Sequence, residues 1–220
     1  IKYQKELALG SLWGQALRHK LMVQLDSENI TNEGTSATGN TITYNVNTGA
    51  YTGIPSGGIV LGATSPIATQ TRQLGVVVQN LMSVGEHWTV LAGLRHTDHN
   101  DLEADVRQRA VSPRLGVVYK RSPDWSYYSS WSCGFVPSTL TGFNPATGNG
   151  VGGQPLDPET SQQLEVGVKA LLLNQQLELN AALFDLRKKN IGVTPAAAAA
   201  LPSAEQWSAN LGETRTLGLD

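Results

Sequence analysis

Cysteine is nearly missing from this chain: Cys133 is the only one in 220 residues. That excludes an intrachain disulfide and a thiolate metal cage. Charge is scarce as well, at 15% of residues, where ordinary soluble domains carry roughly 25%. The net charge of −2 leaves no basic footprint of the kind nucleic-acid binding requires, so no nucleic-acid partner is expected. Long apolar runs are also lacking. The Ala196–Ala200 run, bounded by Pro195 and Pro202, falls far short of the ~18 apolar residues a membrane helix needs, which excludes helical insertion. The opening residues, IKYQKELALG, have neither the regions nor the cleavage site of a signal peptide.

What is present is glycine, 23 residues of it, and short-period alternation. In SPRLGVVYK, Ser112 to Lys120, apolar Leu115, Val117 and Tyr119 alternate with Arg114, Gly116 and Lys120. Period 2 marks a strand whose two faces meet different media. In a soluble sheet the apolar face is the core, whereas in an outer-membrane barrel it meets lipid and the polar face lines a lumen. Trp88, Val90, Ala92 and Leu94 alternate with Thr89, Gly93 and Arg95, and Leu164, Val166, Val168 and Ala170 with Glu165, Gly167 and Lys169. A sandwich core would not tolerate those charges unpaired. In WSYYSSWSCGF, Trp125, Tyr127, Trp131 and Phe135 share a face. Ten steps of ~3.3 Å at membrane tilt place Trp125 and Phe135 roughly 23 Å apart in depth, near the ~25 Å height of an apolar band flanked by two aromatic girdles. A cross-strand aromatic cluster in a sandwich core is the competing account. In LELNAALFDLRKKN the apolar phase switches from Leu177, Leu179 and Ala181 to Phe184 and Leu186, which predicts a β-bulge near Ala181–Leu183.

About nine such segments run along the chain, between about Lys2–Leu12 and Ala209–Leu219, without a convincing helix. Tight turns at Trp13–Gln15, Ser83–Glu86, Arg121–Trp125 and Leu172–Asn174 alternate with long connections at Thr31–Arg72, Asp101–Ala110, Pro137–Ser161 and Thr194–Ser208. Strict short–long alternation puts every elaborated connection on one side of the sheet, as in transmembrane barrels with short periplasmic turns and longer outer loops. Ala196–Ala200 reads as a short helical turn or as slack within its loop.

Several stretches then fall in a recognisable order: LAGLR, SPRLGVVYK, SYYSSW, PLDPETSQQLEVGVKALL, LNAALFDLRKKNI and NLGETRTLGLD. Over roughly Trp88 to Asp220 this resembles the barrel of TonB-dependent siderophore receptors. The resemblance implies an all-β, antiparallel transmembrane β-barrel, with residues 1–220 supplying about nine of some twenty-two strands. It further implies a Gram-negative outer-membrane transporter that takes up ferric siderophores with energy relayed by the TonB complex, lies in outer-membrane lipid, and is not an enzyme. No resident cofactor is expected, the ferric siderophore being the transported ligand. Where the family commonly has basic residues, this chain has Cys133, Gly134 and Val136. No plug domain, TonB box, signal peptide or C-terminal closing strand is legible, so the region alone is expected to form an open barrel. A passive porin-like channel, a truncated product without transport activity and a surface β-protein are the alternatives; a repetitive adhesin would show repeated units, and none is found.

No catalytic constellation is present. His96, Asp98, His99 and Asp101 include metal-ligand types, but an i, i+3 pair on a strand splits across its faces, so no metal site is expected. No serine occupies a Gly-x-Ser-x-Gly elbow, and PSGGIVLGATS lacks the lysine of a phosphate loop. For an organic iron chelate, which offers faces to stack on and oxygens to accept hydrogen bonds, the candidate ligand-binding residues are Tyr44, Tyr51, Phe143 and Trp207. Arg95, Arg114, Glu165 and Lys169 are expected to face the lumen, opposite Leu94, Leu115, Val166 and Val168.

Overall fold

The computed structural model describes residues 1–39, 43–45, 48, 50–52, 61–174, 176–202 and 205–220. Nine strands form one sheet in the order β1-β2-β5-β6-β7-β8-β9-β10-β11: β1 (Lys2–Leu12), β2 (Gln15–Gly39), β5 (Leu61–Val84), β6 (Trp88–Asp101), β7 (Val106–Ser122), β8 (Trp125–Val136), β9 (Glu159–Leu172), β10 (Leu177–Val193) and β11 (Ala209–Leu219). A separate two-stranded ribbon pairs β3 (Thr43–Asn45) with β4 (Ala50–Thr52). Sequential neighbours pair antiparallel along β7 to β11, the simplest meander, in which each connection need only reverse the chain. Strands β1 and β11 are the two edges, so the sheet is open.

The chain divides into two units. The first comprises Ile1–Ser27, Gln73–His99 and Arg107–Asp220, the second Glu28–Arg72 and Asn100–Val106. In the second, Asp101 accepts the amides of Glu103 and Ala104 at 3.1 Å each, an Asx turn that carries the chain back through Asp105 at φ 52°. This corrects two expected loops. Asp101–Ala110 is strand at both ends around a turn at 102–105, and much of Thr31–Arg72 is strand, with β2 reaching Gly39 and β5 beginning at Leu61. Short and long connections therefore do not alternate strictly. Thr- and Ser-rich stretches remained compatible with extended backbone, which composition alone had read as loop.

The expected β-bulge near Ala181–Leu183 is also absent. Pairing of β10 with β9 runs without a shift from Leu177↔Leu172 to Lys189↔Thr160, and the irregularities of β10 fall later, between Lys188 and Gly192 on its β11 side. The apolar phase switches while the backbone does not: Leu177, Leu179, Ala181 and Leu183 lie on one face, and Phe184 and Leu186 lie on the other. Phe184 is accommodated there because its cross-strand partner is Gly218, whose missing Cβ leaves room for the ring.

In the first unit, registers and alternation define two faces. One carries Trp88, Leu94, Leu115, Val117, Trp125, Tyr127, Trp131, Leu164, Val166, Leu183 and Leu217. The other carries Arg95, Arg114, Ser126, Tyr128, Ser130, Glu165 and Lys169. The apolar face is not a core. Leu115 and Val166 are each 53% exposed and Leu183 63%, and the buried hydrophobic residues among those described are only Val77, Val84, Ala170 and Ala198. A water-soluble domain of this size buries its apolar face, so the sandwich account fails and the face is suited to lipid. At the edge bearing the tight turns the Trp88 and Tyr119 rings lie 4.6 Å apart. Trp13, in the turn after β1, and Trp125, the first residue of β8, belong to the same edge and add to its aromatic band.

Candidate ligand-binding site

The polar face is wired by side chains that cross glycines. Arg95 on β6 reaches over Gly75 on β5 to grip Asp26 on β2, Nη1 donating to Oδ1 at 3.1 Å and Nη2 to Oδ2 at 2.7 Å. A Cβ at Gly75 would collide with both charged groups. Arg114 on β7 lies across Gly93 on β6 in the same way and donates to Gln79 on β5. Tyr128 lies over its cross-strand partner Gly167, its hydroxyl donating to Glu165 Oε1 at 2.6 Å, while Gln163 donates to Glu165 Oε2 at 3.1 Å. Lys169 Nζ stands 5.8 Å from the centre of the Tyr128 ring, within cation–π range. Bidentate and charge-assisted contacts of this kind fix position as well as charge, so the wall is a set of held polar groups. The four residues singled out from alternation, Arg95, Arg114, Glu165 and Lys169, share this one face.

Beyond the strands, two connections of the first unit, 137–158 and 194–208, are built into each other. Gln108 on β7 anchors the first at both ends: its Oε1 accepts the Ser138 amide at 2.8 Å and its Nε2 donates to the Leu156 carbonyl at 3.0 Å. The Ser208 amide donates to the Thr141 carbonyl at 2.8 Å, the Gly150 amide to the Glu205 carbonyl at 2.7 Å, and Asn149 Nδ2 to Glu205 Oε2 at 3.2 Å. Gly150 is required where it stands, because a Cβ there would meet the carbonyl of Gln206. The second connection contains helix α1 (Ala196–Ala199), one turn long, as the alanine run suggested.

Phe143 from one connection and Trp207 from the other meet edge to face with ring centres 5.0 Å apart. Phe143 is 47% exposed, so the pair presents an aromatic surface held from below by backbone hydrogen bonds. Such a surface can stack against a planar organic group while the surrounding amides and hydroxyls accept or donate hydrogen bonds. Tyr44 and Tyr51 are direct partners across the β3–β4 ribbon, in the second unit; their side chains lie outside the described residues. The sequence reading chose Phe143 and Trp207 singly and had no means of pairing them. It missed Gln108, Asn149 and Glu205, for which no periodic signal exists. Asp98, one of the metal-type residues, is engaged by Arg107 and Arg109, whose Nε atoms donate to it at 2.7 and 3.0 Å.

Comparison with known proteins agrees with this architecture. The family model described as "TonB dependent receptor-like, beta-barrel" matches residues 3–220. The metal-pseudopaline receptor CntO of Pseudomonas aeruginosa is 30% identical over 157 residues, covering 65% of this chain and 20% of that protein. The probable TonB-dependent receptor BfrD of Bordetella pertussis is 26% identical over 171 residues, covering 71% of this chain and 22% of BfrD. The crystal structure of the outer-membrane ferripyoverdine receptor of Pseudomonas aeruginosa, bound to ferripyoverdine, shares the fold with a TM-score of 0.60 at 19% identity, over 97% of this chain and 33% of that one. The chain thus spans about a fifth of the length of these curated relatives and about a third of the solved receptor. With the match running from the first strand to the last, this chain belongs to the TonB-dependent receptor β-barrel family.

Proposed function

We propose that this chain forms part of an outer-membrane receptor that takes up a ferric siderophore or a related metal chelate, driven through TonB. The observation that carries the reading is the family match across residues 3–220, on a meander whose exposed apolar face suits lipid and whose polar face is internally paired. CntO is named for a metal–pseudopaline chelate and the solved receptor for ferripyoverdine; both names support a chelate as ligand. In this reading Arg95, Arg114, Glu165 and Lys169 face the lumen, Phe143 and Trp207 meet the chelate at the outer mouth, and Tyr44 and Tyr51 are candidate contacts on the second unit. The TonB complex supplies energy, and lipid surrounds the apolar face.

Ferric-chelate binding by the protein in detergent, compared with that of Phe143→Ala and Trp207→Ala, tests the ligand contacts. An aromatic contact contributes about 0.5–1.5 kcal/mol beyond its area, so each substitution is expected to weaken binding up to about tenfold. Unchanged affinity in both variants would remove the aromatic pair from the site.

A further inference from the structure

Positive charge is missing from the aromatic surface. The chain has 16 lysines and arginines, yet the connections 137–158 and 194–208 contain none of them and no histidine. Their ionisable side chains are Asp157 and Glu205. Neither carboxylate enters an ion pair among the described residues. Glu205 stands two residues before Trp207, at the joint between the two connections. Its Oε2 accepts Asn149 Nδ2 at 3.2 Å, and its Oε1 has no hydrogen-bond partner among the described residues. The strand ends that lead into these connections do not make up the deficit. Lys188, on the polar face of β10, is paired with Glu159 at 3.1 Å, and Arg107 and Arg109 are engaged by Asp98 on the opposite face. Taken by itself, the second unit leans the same way, with five carboxylates and one cation, Arg72.

This charge pattern selects among chelates. Aromatic faces are electron-rich and attract alkylammonium groups, and an unpaired carboxylate beside them adds attraction of the same sign. A polyanionic ligand finds no cation here to offset the loss of its hydration, and meets like charge instead. The groups are also fixed before a ligand arrives. Asn144 Nδ2 donates to the Val151 carbonyl at 2.7 Å while its Oδ1 accepts the Ala146 amide at 3.0 Å, which holds the backbone beside Phe143. The Thr194 and Ser208 hydroxyls, 2.9 Å apart, close the second connection at its base. Such preorganisation limits the ordering cost of binding. Iron-chelating groups differ in charge: three hydroxamates give up one proton each and neutralise iron(III), whereas three catecholates give up two each and leave a trianion.

We propose that Phe143, Trp207 and Glu205 act as a charge filter, admitting ferric chelates of zero or positive net charge and holding a pendant ammonium group against the rings and the Glu205 carboxylate. The inference rests on the receptor reading above and names the ligand class of that site: a hydroxamate-type ferric chelate carrying a protonated amine. Asn149 is a positioning residue, since it orients the Glu205 carboxylate from across the joint.

The test measures binding by the complete receptor, purified from outer membranes in an uncharged detergent, of three iron(III) probes. These are a linear trihydroxamate with a terminal amine, the same compound with that amine acetylated, and a tris-catecholate. The amine probe is expected to bind about five- to tenfold more tightly than its acetylated form, and the tris-catecholate at least about tenfold more weakly than either. Glu205→Gln keeps an acceptor for Asn149 and removes the charge, so it should weaken the amine probe about threefold and leave the acetylated probe unchanged. High salt should shrink the preference for the amine as well. Asp124→Asn, at the tight-turn edge, should bind all three probes as wild type does. Equal binding of the amine and acetylated probes, an undiminished preference in Glu205→Gln, or tighter binding of the tris-catecholate would overturn the charge filter and leave the receptor reading standing. Failure of all three probes to bind would overturn the receptor reading and the filter with it.

Discussion

The two faces of the first unit follow opposite rules. On one, Leu115, Val166, Leu183 and Leu217 stand more than half exposed, and little but the aromatic band and the ion pairs around Asp98 and Asp185 joins side chain to side chain. On the other, nearly every long polar side chain touches a named partner, often two strands away. The difference lies in the surrounding medium. Lipid is as apolar as leucine and needs no mutual packing from the residues it meets, whereas charged groups on the opposite wall must be satisfied by one another or by water. A sheet built this way carries its specificity on one side and its solvation on the other.

The sharpest way to break that comparison is to place one charge on each face at similar depth. Val117→Arg, on the apolar face near the middle of the band, should cost roughly 2–4 kcal/mol in reversible folding into lipid vesicles, and Ser130→Arg, on the polar face, under about 1 kcal/mol. Equal penalties would mean that the faces do not meet different media.

The next effect separates glycines that are crossed from glycines that are merely present. Alanine at Gly75 would strike Asp26 and Arg95, while at Gly116 it would find only Leu91 Cβ at 3.7 Å and the Ser129 carbonyl at 3.9 Å. Gly in a strand is intrinsically unfavourable relative to Ala by roughly 0.5–1 kcal/mol. Gly116→Ala should therefore stabilise by about 0.5 kcal/mol, and Gly75→Ala should destabilise by about 1 kcal/mol, the direction set by the displaced ion pair. Opposite signs in urea unfolding from vesicles are the expected result; a gain at both positions would show that Arg95 does not need its passage.

A third and smaller effect tests whether the loop edge depends on the polar wall. Gln108 is 8% exposed and serves both ends of the 137–158 connection. Gln108→Ala should remove about 1 kcal/mol of local stability, read as about fivefold faster amide exchange at Ser138. Exchange at Ser126, inside β8, should not change. Unchanged exchange at Ser138 would assign the order of that connection to its pairing with 194–208 alone.

Most of what alternation could reveal was legible in the sequence. Leu164 to Ala170 and Trp125 to Phe135 sort onto their faces by period 2 alone, since adjacent side chains of a strand must point oppositely. The tight turns were legible for a similarly local reason: Trp13–Gly14, Gly85 and Pro123–Asp124 carry residues that favour sharp reversals. Local patterning failed where apolar content and backbone phase parted. Leu183 and Phe184 suggested a bulge, and the register instead continued because Gly218, more than thirty residues away, admits the ring. It failed again at Asp101–Ala110 and Thr31–Arg72, where polar composition did not distinguish extended strand from loop.

By itself, then, the sequence determined the all-β class, the apolar or polar row of strand residues outside the second half of β10, and the short reversals, because these depend on neighbours within a few residues. Only the tertiary structure decided which polar residues act together. Asp26 and Arg95 are 69 residues apart, Asn149 and Glu205 56, and Asp185 and Arg215 30. Each pair exists because strand register brings distant positions into line and because a glycine, a loop reversal or a shared face leaves the path between them open. Such coincidences of register leave no period in the chain.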